Sequence, residues 1–90
     1  MEQKFLALLE ANRQKALSLG VRIRPVEDMK QAKRLLSGSR TSDGFTELMA
    51  KGQLKLSLEA LVVDKRFTAL FTDDEANTAL LRLLDAGYGF

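Results

Sequence analysis

An all-α fold is the class that this sequence of 90 residues predicts. Apolar residues recur at helical spacing over about two thirds of the chain, and helix start and stop signals bracket these stretches. Alternating segments are few and short. The length corresponds to a single domain, residues 1–90, of four to six short helices. The sequence leaves open a minor two-stranded element, in which residues 21–24 would pair with residues 53–57.

The first predicted helix covers residues 2–19 and is strongly amphipathic. Its outward side is polar, whereas its inward side is apolar. Gly20 is the natural stop, because glycine adopts the left-handed turn that ends helices. The apolar side consists of Phe5, Leu8, Leu9, Ala16 and Leu19.

A second helix is predicted over residues 25–36, with Pro25 in the first turn, where its missing amide hydrogen has no partner to lose. Residues 37–44 are small, hydroxyl-rich and loop-like. Ser42 or Asp43 is suited to cap a short third helix after this loop. A loop of this composition before a helix can hold a phosphate. However, it lacks the end of a P-loop, so a plain linker is the favoured interpretation.

The last third of the chain carries the clearest helix signals. Its first two apolar stripes point in different directions on one ideal helix, so a break is expected near Asp64, which would cap the second piece. Thr72 and Glu75 have the spacing of a capping box and start the final helix, which Gly87 ends. The stripe of this final helix is Ala76, Leu80, Leu83 and Leu84.

Catalytic and metal-binding chemistry has little support in the composition. The chain contains neither histidine nor cysteine, which excludes the familiar triads, thiolate metal sites and disulfides. The carboxylates of residues 73–75 are explained by helix capping. We therefore expect a protein that is not an enzyme and has no cofactor or metal.

The hydropathy of the sequence favours a soluble protein. Its apolar runs fall far short of the roughly 20 residues that cross a bilayer, and the N-terminus lacks the pattern of a signal peptide. We expect a cytoplasmic protein without a membrane association.

Charge is unevenly distributed along the chain. Residues 1–40 carry nine Lys and Arg against four Asp and Glu, a net +5, whereas residues 41–90 carry five against eight, a net −3. A basic half can dock on an acidic partner or on another copy, or it can bind nucleic acid. Two weak helix-turn-helix alignments exist, over residues 12–31 and with the turn at Gly52. The candidate nucleic-acid-binding residues are Arg22, Arg24, Lys30, Lys33, Arg34 and Arg40.

Apolar residues near the C-terminal end form the other candidate site. Leu81 lies off the main stripe of the final helix, and Tyr88 and Phe90 follow its end. Either this helix is buried on two sides, or Leu81, Tyr88 and Phe90 bind a partner. We expect a small interaction module that binds a protein partner or forms a homo-oligomer, with DNA or RNA binding by the basic half as the alternative.

Overall fold

The computed structural model describes residues 2–38 and 41–88. Within these ranges the chain is helical and contains no strand, so the all-α prediction is confirmed. The α-helices are α1 (Glu2–Ser18), α2 (Met29–Ser37), α3 (Phe45–Ala50), α4 (Leu58–Val62) and α5 (Asp73–Asp85). Two 3-10 segments, Leu54–Leu56 and Lys65–Leu70, flank α4.

Among residues 2–38 and 41–88 the core consists of two hydrophobic clusters, and the longest helices contribute to both of them. In the first cluster, the ring of Phe5 meets those of Phe67 and Phe71 edge-on, with centroid distances of 5.2 Å each. The second cluster contains Ala16 of α1 and Leu83 of α5 together with residues of α3 and the first 3-10 segment. α4 packs against both α1 and α5. α4 is therefore held between the two long helices.

α1 ends where the sequence indicates. Gly20 has a φ of +84°, the left-handed conformation that a side chain would strain. Phe5, Leu9 and Ala16 are buried as predicted, but Leu19 is 41% exposed. It lies beyond the last residue of α1, so the helical spacing no longer sets its direction.

α2 begins later than predicted. Pro25 lies in the connection before the helix, which starts at Met29. The preceding residue is Asp28, whose carboxylate accepts a hydrogen bond of 2.9 Å from the amide of Gln31. The side chain of Gln31 in turn accepts from the amide of Glu27 at 2.7 Å. These two bonds satisfy backbone amides at the start of α2. They determine where the helix begins more strongly than Pro25 does, because proline is only tolerated in a first turn.

The predicted pairing of residues 21–24 with residues 53–57 is wrong. The first segment is neither helix nor strand, and the amide of Val21 donates to the carbonyl of Ala16 instead. In the second, Leu54–Leu56 forms a 3-10 turn that buries Leu54 and Leu56 and leaves Lys55 exposed. A tight turn thus satisfies the same alternating pattern as a strand.

Gly44 takes the capping position of α3 that was predicted for Ser42 or Asp43. It has a φ of +73° and makes no side-chain cap. A Cβ atom at this position would approach side-chain atoms of Val21 and Ile23 to 2.7 and 3.0 Å, so the site is closed to larger residues. Ser42 and Asp43 are engaged elsewhere, as described below.

The break before the final helices is confirmed, together with its cap. The carboxylate of Asp64 accepts a hydrogen bond of 2.9 Å from the amide of Arg66 at the start of the second 3-10 segment. α4, which precedes the break, is itself capped by Ser57, whose hydroxyl accepts from the amide of Ala60 at 3.2 Å. Separate caps allow the two short helices to point in different directions.

Both ends of α5 have the predicted geometry. The hydroxyl of Thr72 accepts from the amide of Glu75 at 3.2 Å, and the Glu75 carboxylate accepts from the amide of Thr72 at 2.8 Å. At the other end, Gly87 has a φ of +77°, and the amide of Tyr88 donates to the carbonyl of Leu83 at 3.0 Å. This pattern is a Schellman motif, which satisfies the last carbonyls of the helix.

Candidate interaction surfaces

α5 has an inner and an outer side that differ sharply in burial. Ala79 and Leu83 are fully buried, whereas Leu81 is 60% exposed and Leu84 is 52% exposed. The prediction that placed Leu84 on the buried stripe is wrong. α2 and α4 pack against α5, where Ala79 shares a cluster with residues of both helices, and Leu84 lies on a flank that is left exposed.

We define the outer face of α5 as Asp74, Leu81, Leu84 and Asp85, all of them exposed. Asp74, Leu81 and Asp85 are separated by seven and four residues, so they follow one line along the helix. Leu84 lies one turn from Leu81 beside this line. The surface is a pair of leucines between two carboxylates.

The other two predicted partner-binding residues do not join this face. Tyr88 packs against the hydrophobic cluster that contains Leu83. Leu83 lies about 200° around the helix from Leu81, since each residue turns the chain by about 100°. Phe90 is outside the described residues. The neighbour of Leu81 is therefore Leu84, which the sequence interpretation had assigned to the core.

Two of the predicted nucleic-acid-binding residues are engaged within the molecule. Arg24 donates to both oxygens of Asp43, at 2.7 and 3.2 Å, and the guanidinium lowers the pKa of that carboxyl. Lys33 lies 3.5 Å from the carboxylate of Glu75 and 5.8 Å from the ring centre of Phe71. These contacts join the basic half of the chain to its acidic half.

Three other basic residues are turned to solvent. Arg22, Lys30 and Arg34 are exposed, and Lys30 and Arg34 are four residues apart on the same side of α2. Within residues 2–38 and 41–88, none of the three forms an ion pair within 4.0 Å. Arg40 is outside the described residues.

Neither helix-turn-helix alignment matches the helices. Residues 19–28 separate α1 from α2, and residues 51–57, which include a 3-10 turn, separate α3 from α4. Both connections are longer than the three- or four-residue turn of that motif. Any contact between α2 and nucleic acid would therefore need another geometry.

A buried ion pair that the sequence interpretation missed lies between α4 and α5. The side chain of Glu59 is 0% exposed and that of Arg82 is 9% exposed, with 3.1 Å between their nearest charged atoms. Ser42 donates to the same carboxylate from its amide at 2.9 Å and from its hydroxyl at 2.6 Å. Both oxygens of the buried carboxylate are thus satisfied.

Arg82 also forms hydrogen bonds with the C-terminal end of α2 and the residue after it. Its guanidinium donates to the carbonyls of Leu35 at 3.3 Å, Leu36 at 3.5 Å and Gly38 at 2.7 Å. These carbonyls lie near the helix end, where backbone acceptors lack helical partners. The pair of Glu59 and Arg82 therefore joins α2, Ser42, α4 and α5 in one network. The sequence signal for it is a charged residue within each of two apolar runs, at positions 59 and 82.

A small cavity lies between α1 and the connection before α2. Its volume is about 30 Å³, which is the space of a single water molecule. Two ion pairs line it, one between Arg13 and Glu10 at 2.7 Å and one between Arg24 and Asp43. Hydrogen bonds from Arg13 and Gln14 lower the pKa of Glu10 to about 2. The cavity is too small to hold a cofactor.

In the described part of the chain, no three acidic side chains are placed so that they could hold a metal ion. No helix there is long and apolar enough to cross a membrane. Comparison with protein-family models, curated proteins and solved structures finds no match. The surfaces described above are thus the basis for functional inference.

Proposed function

We propose that this protein is a small, non-catalytic interaction module that binds a protein partner, or a second copy of itself, through the outer face of α5. The observation that carries the proposal is the side-by-side exposure of Leu81 and Leu84, at 60% and 52%. Other exposed large apolar residues lie on different elements, such as Leu17 on α1 and Met49 on α3. The absence of cysteine suits a reducing cytoplasm, where we place the module.

Burial of these two leucines would favour a complex. Full burial of a leucine side chain contributes about 1.5–3 kcal/mol, so covering what remains exposed of the pair would contribute about 2 kcal/mol. The flanking Asp74 and Asp85 would select a partner with basic groups around an apolar surface. An apolar centre with a charged rim is the usual arrangement of a protein interface.

The test is capture from the source cell with the unmodified protein and with a Leu81→Ser, Leu84→Ser variant. We expect the unmodified protein to retain a partner, or to self-associate in light scattering, and the variant to lose that partner or association. Leu17→Ser is the matched control, because Leu17 is 50% exposed on α1. Equal binding by all three proteins would refute the proposal.

Nucleic-acid binding is the second candidate, and the exposure of Arg22, Lys30 and Arg34 favours it. If these residues contact phosphates, a Lys30→Glu, Arg34→Glu variant should lose most of its affinity for a generic duplex and keep its melting temperature. The salt dependence of binding should flatten by roughly one unit of slope for each basic side chain removed from a phosphate. The absence of a gel shift by the unmodified protein at about 50 mM salt, where such contacts are strong, would exclude this candidate.

A further inference from the structure

A groove runs along α1 on a side of the molecule that the proposed function does not use. One recess, of about 370 Å³, lies between α1, α4, the residues after α4 and Tyr88. A second, of about 300 Å³, lies between α1 and the first 3-10 segment. Lys15, Lys55 and Leu56 line both recesses, so they form one continuous surface, which we call the α1 groove.

The α1 groove has a partly apolar floor and basic edges. The half-buried Leu8 and the exposed Leu19 supply its apolar surface, and Leu56 and Leu61 are buried beneath it. The exposed side chains of Lys15, Lys55 and Arg66 supply positive charge. Among the described lining residues the carboxylate is that of Asp64, and Arg66 holds it at 2.9 Å. Hydrogen bonds from Arg66 lower the pKa of Asp64 to about 2. The groove therefore suits an apolar segment that carries acidic groups.

The outer face of α5 has this complementary chemistry. It presents Leu81 and Leu84 between Asp74 and Asp85. The lengths also agree: Asp74 to Asp85 spans about 17 Å of helix, and the part of α1 that lines the groove, from Leu8 to Ser18, spans about 15 Å. Within one molecule the two surfaces cannot meet, because Leu81 points away from the core to which α1 and Leu83 belong.

We propose that the outer face of α5 of one copy docks into the α1 groove of another copy, head to tail. This inference rests on the proposed function and names the partner of the same face. Leu81 and Leu84 would cover the apolar lining, while Asp74 and Asp85 would approach Lys15, Lys55 and Arg66. A docked pair leaves one groove and one outer face unoccupied, so the assembly grows until it closes into a ring or forms a filament.

The dependence on salt distinguishes this contact from the symmetric alternative. Head-to-tail docking joins opposite charges, so association should weaken when salt rises from about 0.1 M to about 1 M and the screening length falls from about 10 to about 3 Å. A symmetric pairing of two outer faces would bring carboxylates together. Salt would relieve that repulsion and strengthen the association.

The deciding experiment combines two blocked variants of the full chain. Leu81→Ser, Leu84→Ser removes the docking face, and Lys15→Glu, Lys55→Glu reverses the charge of the groove. In sedimentation velocity we expect the unmodified protein to exceed the dimer mass as its concentration rises. We expect each variant to associate at least about tenfold more weakly. Their mixture should form a one-to-one dimer, because each supplies the surface that the other lacks.

The control is Lys30→Glu, Lys51→Glu, which changes the net charge equally at exposed residues outside the groove. It should associate like the unmodified protein, and circular dichroism should show that all variants are folded. If only the outer-face variant loses association, the groove is not the receptor: the inference is overturned and the proposed function stands. A monomer at every concentration overturns the inference too, and capture of a different partner then decides the proposed function. If the outer-face variant associates normally, the inference is overturned, and capture of a different partner through the outer face decides the proposed function.

Discussion

Both sides of α5 carry leucines, but the leucines of the two sides have opposite environments. On the inner side, Leu83 is fully buried, and Arg82 reaches Glu59 and three carbonyls of α2 and the residue after it. On the outer side, Leu81 and Leu84 are more than half exposed. The inner side is therefore expected to determine stability and the outer side to determine association. Substitutions along α5 can separate the two roles.

The largest effect on stability should follow loss of one member of the buried ion pair. Arg82→Leu would leave the carboxylate of Glu59 buried without its counter-ion, and removal of one partner of such a pair costs about 3–5 kcal/mol. A denaturant melt should show this loss as a lower midpoint. A change below about 1 kcal/mol, the range of exposed ion pairs, would mean that water reaches the pair.

The double variant Glu59→Leu, Arg82→Leu sharpens this test. Replacing both charges with apolar groups removes the unpaired carboxylate, so stability should recover in part. Full recovery is not expected, because the amide of Ser42 and the carbonyl of Gly38 would lose their partners. A double variant less stable than Arg82→Leu would contradict this account.

The next effect compares two leucines of the same helix. Leu83→Ala should destabilise the fold by about 2–5 kcal/mol, because it opens a cavity in the second cluster. Leu81→Ala should change the free energy of unfolding by less than about 0.5 kcal/mol, as for an exposed site. Equal losses in thermal or denaturant melts would show that the outer face is covered in the folded protein.

The third comparison concerns the start of α5, which both sides share. Thr72→Ala removes the capping hydroxyl and should cost about 1 kcal/mol. Thr78→Ala is the matched control. The hydroxyl of Thr78 donates to the carbonyl of Asp74 within the helix, and it does not accept from an amide at the helix start as that of Thr72 does. Calorimetry that gives both variants the same melting temperature would contradict the capping role of Thr72.

Local signals in the sequence predicted the fold better than the surfaces. The capping box at Thr72, the cap at Asp64 and the stops at Gly20 and Gly87 depend on bonds within a few residues, and each has the expected geometry. The start of α2 was misplaced because Pro25 and Asp28 both carry helix-start signals, and only the side chain of Asp28 can accept a hydrogen bond.

The surfaces depend on contacts between residues distant in sequence. The sequence pattern locates the buried side of α5 only to within about one residue around the helix. The packing of α2 and α4 against α5 determines which side is covered, and it leaves Leu84 exposed. The link from Ser42 to Glu59 and Arg82 joins three separate parts of the chain. No local pattern specifies it. Single charges within apolar runs are a signal of such pairs, but they do not identify the partners.

The bond from the amide of Ser42 to Glu59 also gives this protein an internal reporter of opening. Amides in connections between helices usually exchange with solvent deuterium quickly, because local motion exposes them. This amide instead donates to a carboxylate that is fully buried between α4 and α5. Its hydrogen-exchange rate should therefore follow the separation of the connection that carries Ser42 from α4, so that one resonance reports the opening of the buried network.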